Sequence, residues 1–162
     1  MDTLTLDGRT FALERAAEPD VPGIVALLTD DEIGAGRESV DLAPYVEAFR
    51  EVDRDDAHLL VVVRDDDGAL VATMQLTLLP GLSRGGAKRL LIEAVRVASS
   101  TRGSGLGRAL IGWAHAWGEA RGATLAQLTS DKRRTDAHRF YESLGYTASH
   151  EGFKRPLEFD AP

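Results

Sequence analysis

Cysteine is absent from the chain. Disulfides, thiolate metal ligation and a cysteine nucleophile are therefore excluded. No apolar run approaches the ~20 residues that a bilayer-crossing helix needs. The opening residues, MDTLTLDGRT, have neither the basic start nor the apolar core of a signal peptide, so a cytoplasmic protein is expected. No basic cluster marks a nucleic-acid groove or an anionic membrane surface, and the formal net charge is −7. A field of that sign favours, weakly, a cationic or amine substrate. The four histidines, His58, His115, His138 and His150, show no ligand spacing, and no metal site is expected. Internal repeats, low-complexity tracts and long linkers are missing as well. What is present, 162 residues of which 43% are hydrophobic, suffices for one domain over 1–162 with its own core.

The most informative stretch runs from Leu90 to Arg121. Its first part is apolar and branched (Leu90, Leu91, Ile92, Val95, Val97) and reads as a buried strand. A short turn, Ala98 to Thr101, leads into Arg102-Gly-Ser-Gly-Leu-Gly107. Beyond it Leu106, Leu110, Trp113 or Ala114, and Trp117 recur at helical spacing. A strand thus delivers a glycine-rich loop directly into a helix N-terminus. Backbone N–H groups and the positive end of the helix dipole converge there, which makes an anion site, best suited to phosphate. The dinucleotide fingerprint would need glycine where Arg108 stands, and the P-loop would need Lys-Ser or Lys-Thr after the last glycine. What remains is R-x-x-G-x-G, formed by Arg102, Gly105 and Gly107.

The rest of the chain supplies alternating elements. Thr10–Arg15 reads as a strand, and Asp20 with Pro22 opens a helix that turns Ile24, Val25, Leu27 and Leu28 inward. Thr29–Glu38 reads as an acidic loop. Asp41 caps a second helix, Leu42 to Val52, with Tyr45, Val46 and Phe49 inward. His58–Val63 and Ala69–Leu79 are strands joined by the turn Asp65–Gly68, and Pro80–Gly86 is a loop. Gly122 closes the central helix, Thr124–Thr129 is read as another buried strand, and Ser130–Arg134 as a polar loop. A helix over Thr135–Leu144 carries Ala137, Tyr141 and Leu144 on one side, Gly145 ends it, and one or two closing strands are expected from Tyr146 onward. This order predicts an α/β (α+β) three-layer arrangement around a mixed sheet.

Two motifs carry a resemblance. Arg102, Gly105 and Gly107 follow a strand ending Glu93-Ala-Val-Arg-Val97, and Phe140-Tyr-Glu-Ser-Leu-Gly-Tyr146 looks like F-Y-x-x-L-G-[FY]. Together they resemble the GNAT superfamily of N-acetyltransferases, from about the first strand to the end of the chain. The resemblance implies the GNAT fold, a mixed central sheet flanked by about four helices. It also implies acetyl-CoA as cosubstrate and direct acetyl transfer to a primary amine of a small molecule or peptide, with no metal, nucleic acid or membrane involved. Homodimers are common in that superfamily, and no interface is legible here. Carried over residue by residue, Arg102, Gly103, Ser104, Gly105, Gly107 and Arg108 contact the pyrophosphate. Val95 and Val97 offer backbone to the pantetheine arm. Glu93 is the general base, its pKa raised by burial, and Tyr141 is the acid that protonates the leaving thiolate. Arg134 stands where the superfamily commonly has an asparagine, so that Ser130 or Thr129 would substitute in the pantetheine contact. Other readings stay open. Glu93 can be an ion-pair partner of Arg89 or Arg96, or point out at an edge, and Tyr141 can be a core residue stacked on Phe140 and Trp113. The whole chain can be a non-catalytic acyl-CoA-binding sensor or a nucleotide-binding domain.

Overall fold

The computed structural model describes residues 2–30 and 32–157, with backbone alone at positions 32 and 33. The chain divides into two compact units, one through Leu128 and one from Thr129 onward. In the first unit the strands are β1 (Asp2–Leu6), β2 (Arg9–Arg15), β3 (His58–Arg64), β4 (Leu70–Pro80), β5 (Lys88–Val97) and β6 (Ala123–Leu128). The helices are α1 (Val21–Thr29), α2 (Glu32–Ala35), α3 (Ala43–Arg54), the single turn α4 (Ser83–Gly86) and α5 (Leu106–Glu119). The second unit contributes α6 (Thr135–Glu142). Among the described residues no helix is long and apolar enough to cross a membrane.

The strands form one sheet in the order β1-β2-β3-β4-β5-β6, antiparallel throughout except for the parallel pair β5–β6. The first hairpin adds a strand to those read from the sequence. Asp7 and Gly8 both have positive φ, 48° and 79°, as a two-residue turn between right-twisted strands requires. Apolar side chains cover both faces of the sheet. On one face Val62 packs with Val21, Ile24 and Val25 of α1 and Phe49 of α3. On the other, Leu90 of β5 meets α5 so closely that a Cβ on Gly118 would lie 2.8 Å from Leu90 Cδ2. Three layers result, as the alternation of elements predicts.

Several local expectations change. Asp20 is the N-cap residue of α1, but its carboxylate makes no cap bond to that helix; it accepts from the Ala17 N–H and from Arg64 and so closes a 3-10 turn, Glu18–Asp20. The acidic stretch Thr29–Glu38 contains the short helix α2. The buried face of α5 is Leu106, Leu110, Ile111, Ala114 and Gly118, whereas Trp113 and Trp117 are half-buried. Trp113 Nε1 donates to Asp2 at 2.9 Å, and Arg121 lies over the Trp117 ring. Strand β6 exposes Thr124 and Leu125 because among the described residues it is an edge, paired only with β5. Residues 146–157 form no strand; the segment carries Gly152 and Pro156 and lacks a run of alternating apolar residues. The remainder of that expected strand region lies outside the described residues.

Candidate functional site

Strand β5 is where the sheet changes character. It pairs with β4 from Lys88 to Val97, but its pairing with β6 stops at Ile92 opposite Leu128. Among the described residues Glu93–Val97 therefore has a strand on one side only. The same segment is bulged. Thr73 opposes Arg96 and Gln75 opposes Glu93, so two residues of β5, Ala94 and Val95, face the single residue Met74 of β4. Ala94 takes φ +52°, a left-handed conformation that non-glycine residues seldom adopt. An extra residue held this way bends the strand and turns the backbone beyond it, which is a recurrent device beside active sites.

Glu93 sits immediately before the bulge. Register places it beside Gln75 and Leu60, and Leu60 packs against the α1–α3 core, so Glu93 faces the side of the sheet opposite α5. The residue is exposed, which agrees with the outward-pointing alternative and not with the buried position expected from its apolar neighbours. Exposure rises along the row Leu60, Gln75, Glu93, from half-buried to open, as the row runs away from the strand that α3 covers. Neither arginine offered as its partner takes that role. Arg89 Nη1 donates to Gln127 Oε1 at 3.0 Å, and Arg96 Nη1 donates to the Val95 carbonyl at 2.8 Å. The same sheet face carries His58 Nδ1 and Thr77 Oγ1 at 2.9 Å, a polar pair that sequence reading did not single out.

Past Val97 the chain makes a 3-10 turn, Ser99–Thr101, and enters the glycine loop. Gly103 and Gly105 have φ of +83° and +80°, and a Cβ built on either would meet nothing within 4 Å. The requirement for glycine is thus conformational, and the space where side chains would stand is open to a ligand. Ser104 fastens the loop: its hydroxyl donates to the Thr101 carbonyl at 2.7 Å and accepts from the Leu106 N–H at 3.4 Å. Gly105 is the N-cap of α5 and supplies no side-chain cap, and the first turn carries no acidic residue. First-turn N–H groups have no intrahelical acceptor, so this helix end accommodates an anion where a capping side chain would otherwise stand. Gly107 and Arg108 lie in that turn, Arg108 exposed. These are the features that a pyrophosphate requires, and they fit that group.

Arg102 opens the loop and is already engaged. Its Nη2 donates to Asp30 Oδ2 at 3.1 Å and to the Asp30 carbonyl at 3.4 Å, while Nε donates to the Val97 carbonyl at 3.4 Å. Asp30 is the C-cap residue of α1 and lies 72 positions away in sequence. No local signal could have revealed it.

The second unit holds the other predicted residue. Tyr141, on α6, is half-buried, with its ring edge-on to Phe140 at 5.2 Å and to Tyr146 at 5.8 Å. Burial, with a smaller contribution from Tyr141, pushes the Tyr146 phenol up to about 12. Arg134 is the N-cap residue of α6, its backbone N–H donating to the Asp131 carbonyl at 2.9 Å. The adjacent basic residues are paired with acids, Lys132 with Glu151 at 2.7 Å and Arg133 with Asp131 at 2.9 Å. The Arg133 guanidinium holds the Asp131 carboxyl well below the usual carboxylate range. Ser130 Oγ is buried and meets no hydrogen-bond partner among the described residues. Among the described residues no group of three or more His, Asp or Glu is arranged to hold a metal ion.

Comparison with known proteins bears on this arrangement. A sequence model described as the acetyltransferase (GNAT) family matches residues 22–146. The aminoalkylphosphonate N-acetyltransferase of Salmonella typhimurium is 38% identical over 66 residues, which are 41% of this chain and 43% of that enzyme. The crystal structure of a transcriptional regulator from Bacillus halodurans superposes with a TM-score of 0.85 at 40% identity, covering 91% of this chain and 99% of that one. An acetyltransferase of Trypanosoma brucei superposes with a TM-score of 0.73 at 26% identity, again over 91% of this chain and 99% of its own.

Proposed function

Because the chain belongs to the acetyltransferase (GNAT) family, we propose that it transfers the acetyl group of acetyl-CoA directly to a primary amine. The observation that carries this reading is the junction of β5, the Arg102–Arg108 loop and α5. Two left-handed glycines with open space beside them, and a helix whose N-cap residue, Gly105, brings no capping side chain, suit the coenzyme's pyrophosphate. The free side of β5 from Glu93 to Val97 suits the pantetheine arm, which would add to the sheet as a short strand through Val95 and Val97.

The chemistry follows from the groups. An alkyl amine with a pKa near ~10.4 is protonated at neutral pH and cannot attack a thioester. Glu93, reached directly or through a water, removes that proton. The neutral nitrogen attacks the acetyl carbon, forming the C–N bond and a tetrahedral oxyanion whose collapse breaks the C–S bond. A backbone N–H at the bulge, that of Val95, stabilises the oxyanion. The departing thiolate takes a proton from the Tyr141 hydroxyl, and the phenolate is reprotonated by the proton that the nitrogen of the new amide sheds. No protein nucleophile is needed, which accords with a chain that has no cysteine.

A second reading has its own support. The Bacillus halodurans relative is called a transcriptional regulator, which favours a non-catalytic acyl-CoA sensor in which Glu93 and Tyr141 have structural roles. Thiol release from acetyl-CoA across a panel of amines separates the two. Aminoalkylphosphonates lead the panel because the Salmonella typhimurium relative is named for them. Catalysis predicts amine-dependent release, reduced by up to ~10²–10⁴ in Tyr141→Phe and also lowered in Glu93→Gln. Tight CoA binding with no release on any amine would favour the sensor.

A further inference from the structure

We propose that Asp30 is an internal competitor of the coenzyme's pyrophosphate for Arg102. The proposal rests on the coenzyme reading given above and concerns a residue that reading does not include. Arg102 stands first in the glycine loop, yet its guanidinium is turned to the end of α1. There it meets a carboxylate oxygen at 3.1 Å and the main-chain carbonyl of the same residue at 3.4 Å. That is a set of oxygen acceptors on a negatively charged group, the same chemistry that a pyrophosphate offers. The carbonyl belongs to a helix C-terminus, where a cation is favoured by the helix dipole, so Asp30 and α1 together make a resting place for the charge. Both side chains are partly exposed, 57% for Arg102 and 42% for Asp30, so the pair is exchangeable rather than locked.

Two consequences follow. When a pyrophosphate arrives, Arg102 exchanges one anion for another, and only the difference between the two contacts contributes to affinity. Asp30 therefore weakens coenzyme binding, and product CoA leaves the more readily for it. The residue acts through Arg102 and touches no reacting atom.

The test is a double-variant cycle on the full chain, titrated with CoA and separately with pantetheine, which lacks the pyrophosphate. The variants are Asp30→Asn, Arg102→Ala and their combination, with Asp30→Ser as a second neutral replacement. Asp30→Asn is expected to tighten CoA by about two- to fivefold, the range of an exposed ion pair. The effect should be absent for pantetheine and absent in the Arg102→Ala background. A weaker or unchanged CoA affinity in both Asp30 variants, while Arg102→Ala still loosens CoA, overturns the competitor and leaves the coenzyme reading standing. An equal gain for pantetheine, or a gain that survives Arg102→Ala, also overturns it. If CoA binds none of the proteins, or if Arg102→Ala changes nothing, the coenzyme reading fails at this residue and the competitor fails with it.

Discussion

Replacing Ala94 by glycine should stabilise the protein, although glycine in a strand interior ordinarily costs ~0.5–1 kcal/mol relative to alanine. The sign reverses because Ala94 takes φ +52° at the bulge of β5. Left-handed backbone costs an L-residue with a Cβ about 1–2 kcal/mol, and glycine removes that cost. Against it stands the larger backbone freedom that glycine gives the unfolded chain, about 0.4–1 kcal/mol. The expected net is a gain of about 0.5–1 kcal/mol. Valine at the same position, normally a good strand residue, should cost a further ~1 kcal/mol or more, because a β-branched side chain is a genuine outlier at positive φ. For a chain of this size each kcal/mol moves the unfolding midpoint by about 2–4 °C, so the two variants should separate clearly in thermal or urea unfolding. A glycine variant less stable than the parent, beside a neutral valine variant, would refute the left-handed bulge. The oxyanion contact proposed for the Val95 N–H would fall too.

Three further outcomes are expected. In α5, Gly118→Ala brings a Cβ to 2.8 Å from Leu90 Cδ2 and 3.3 Å from its Cβ, and Leu90 is 1% exposed. Overpacking of about 1–3 kcal/mol should therefore outweigh the helix-propensity gain of ~0.8–1 kcal/mol. On the same helix Gly112→Ala meets nothing within 4 Å and should simply gain the propensity, so the unfolding midpoints of the two variants should move in opposite directions. Among the three tyrosines, one should titrate near 12 in the ultraviolet spectrum, and that component should vanish in Tyr146→Phe. Because the folded phenol holds its proton more firmly than the unfolded one, Tyr146 contributes stability below pH ~10 that is lost as pH rises towards 12. Urea midpoints across that window should fall less steeply in the phenylalanine variant.

How much of this was legible in the sequence depends on how local each cause is. Gly103 and Gly105 could be read because left-handed backbone and helix entry are local demands that only a few residue types meet. Asp7-Gly8 carried an equally local hairpin signal, and β1 follows from it. Ala94 carried none, since alanine has no preference for positive φ and the bulge is imposed by pairing with β4. Glu93 was read as buried from its neighbours Ile92 and Ala94. Whether a strand face is covered, however, depends on where α1 and α3 end, and that is a tertiary fact. The tryptophans of α5 misled for a related reason. Gly118 lets the helix approach Leu90, and the face it shares with Leu106, Leu110, Ile111 and Ala114 is buried, which leaves the two tryptophans only half-covered. Contacts between distant segments, such as Arg102 with Asp30, leave no periodicity or motif to read.

The account turns on the glycine loop holding a coenzyme pyrophosphate, and calorimetric titration of the protein with CoA, beside Gly105→Ala, tests it most directly. The parent should bind CoA and acetyl-CoA but neither NAD nor ATP at comparable concentration. The variant should lose affinity by at least tenfold, because the added Cβ enters the open space beside a backbone held at φ +80°. Unaltered CoA affinity in a folded Gly105→Ala protein, or binding of NAD or ATP in place of CoA, would contradict the account.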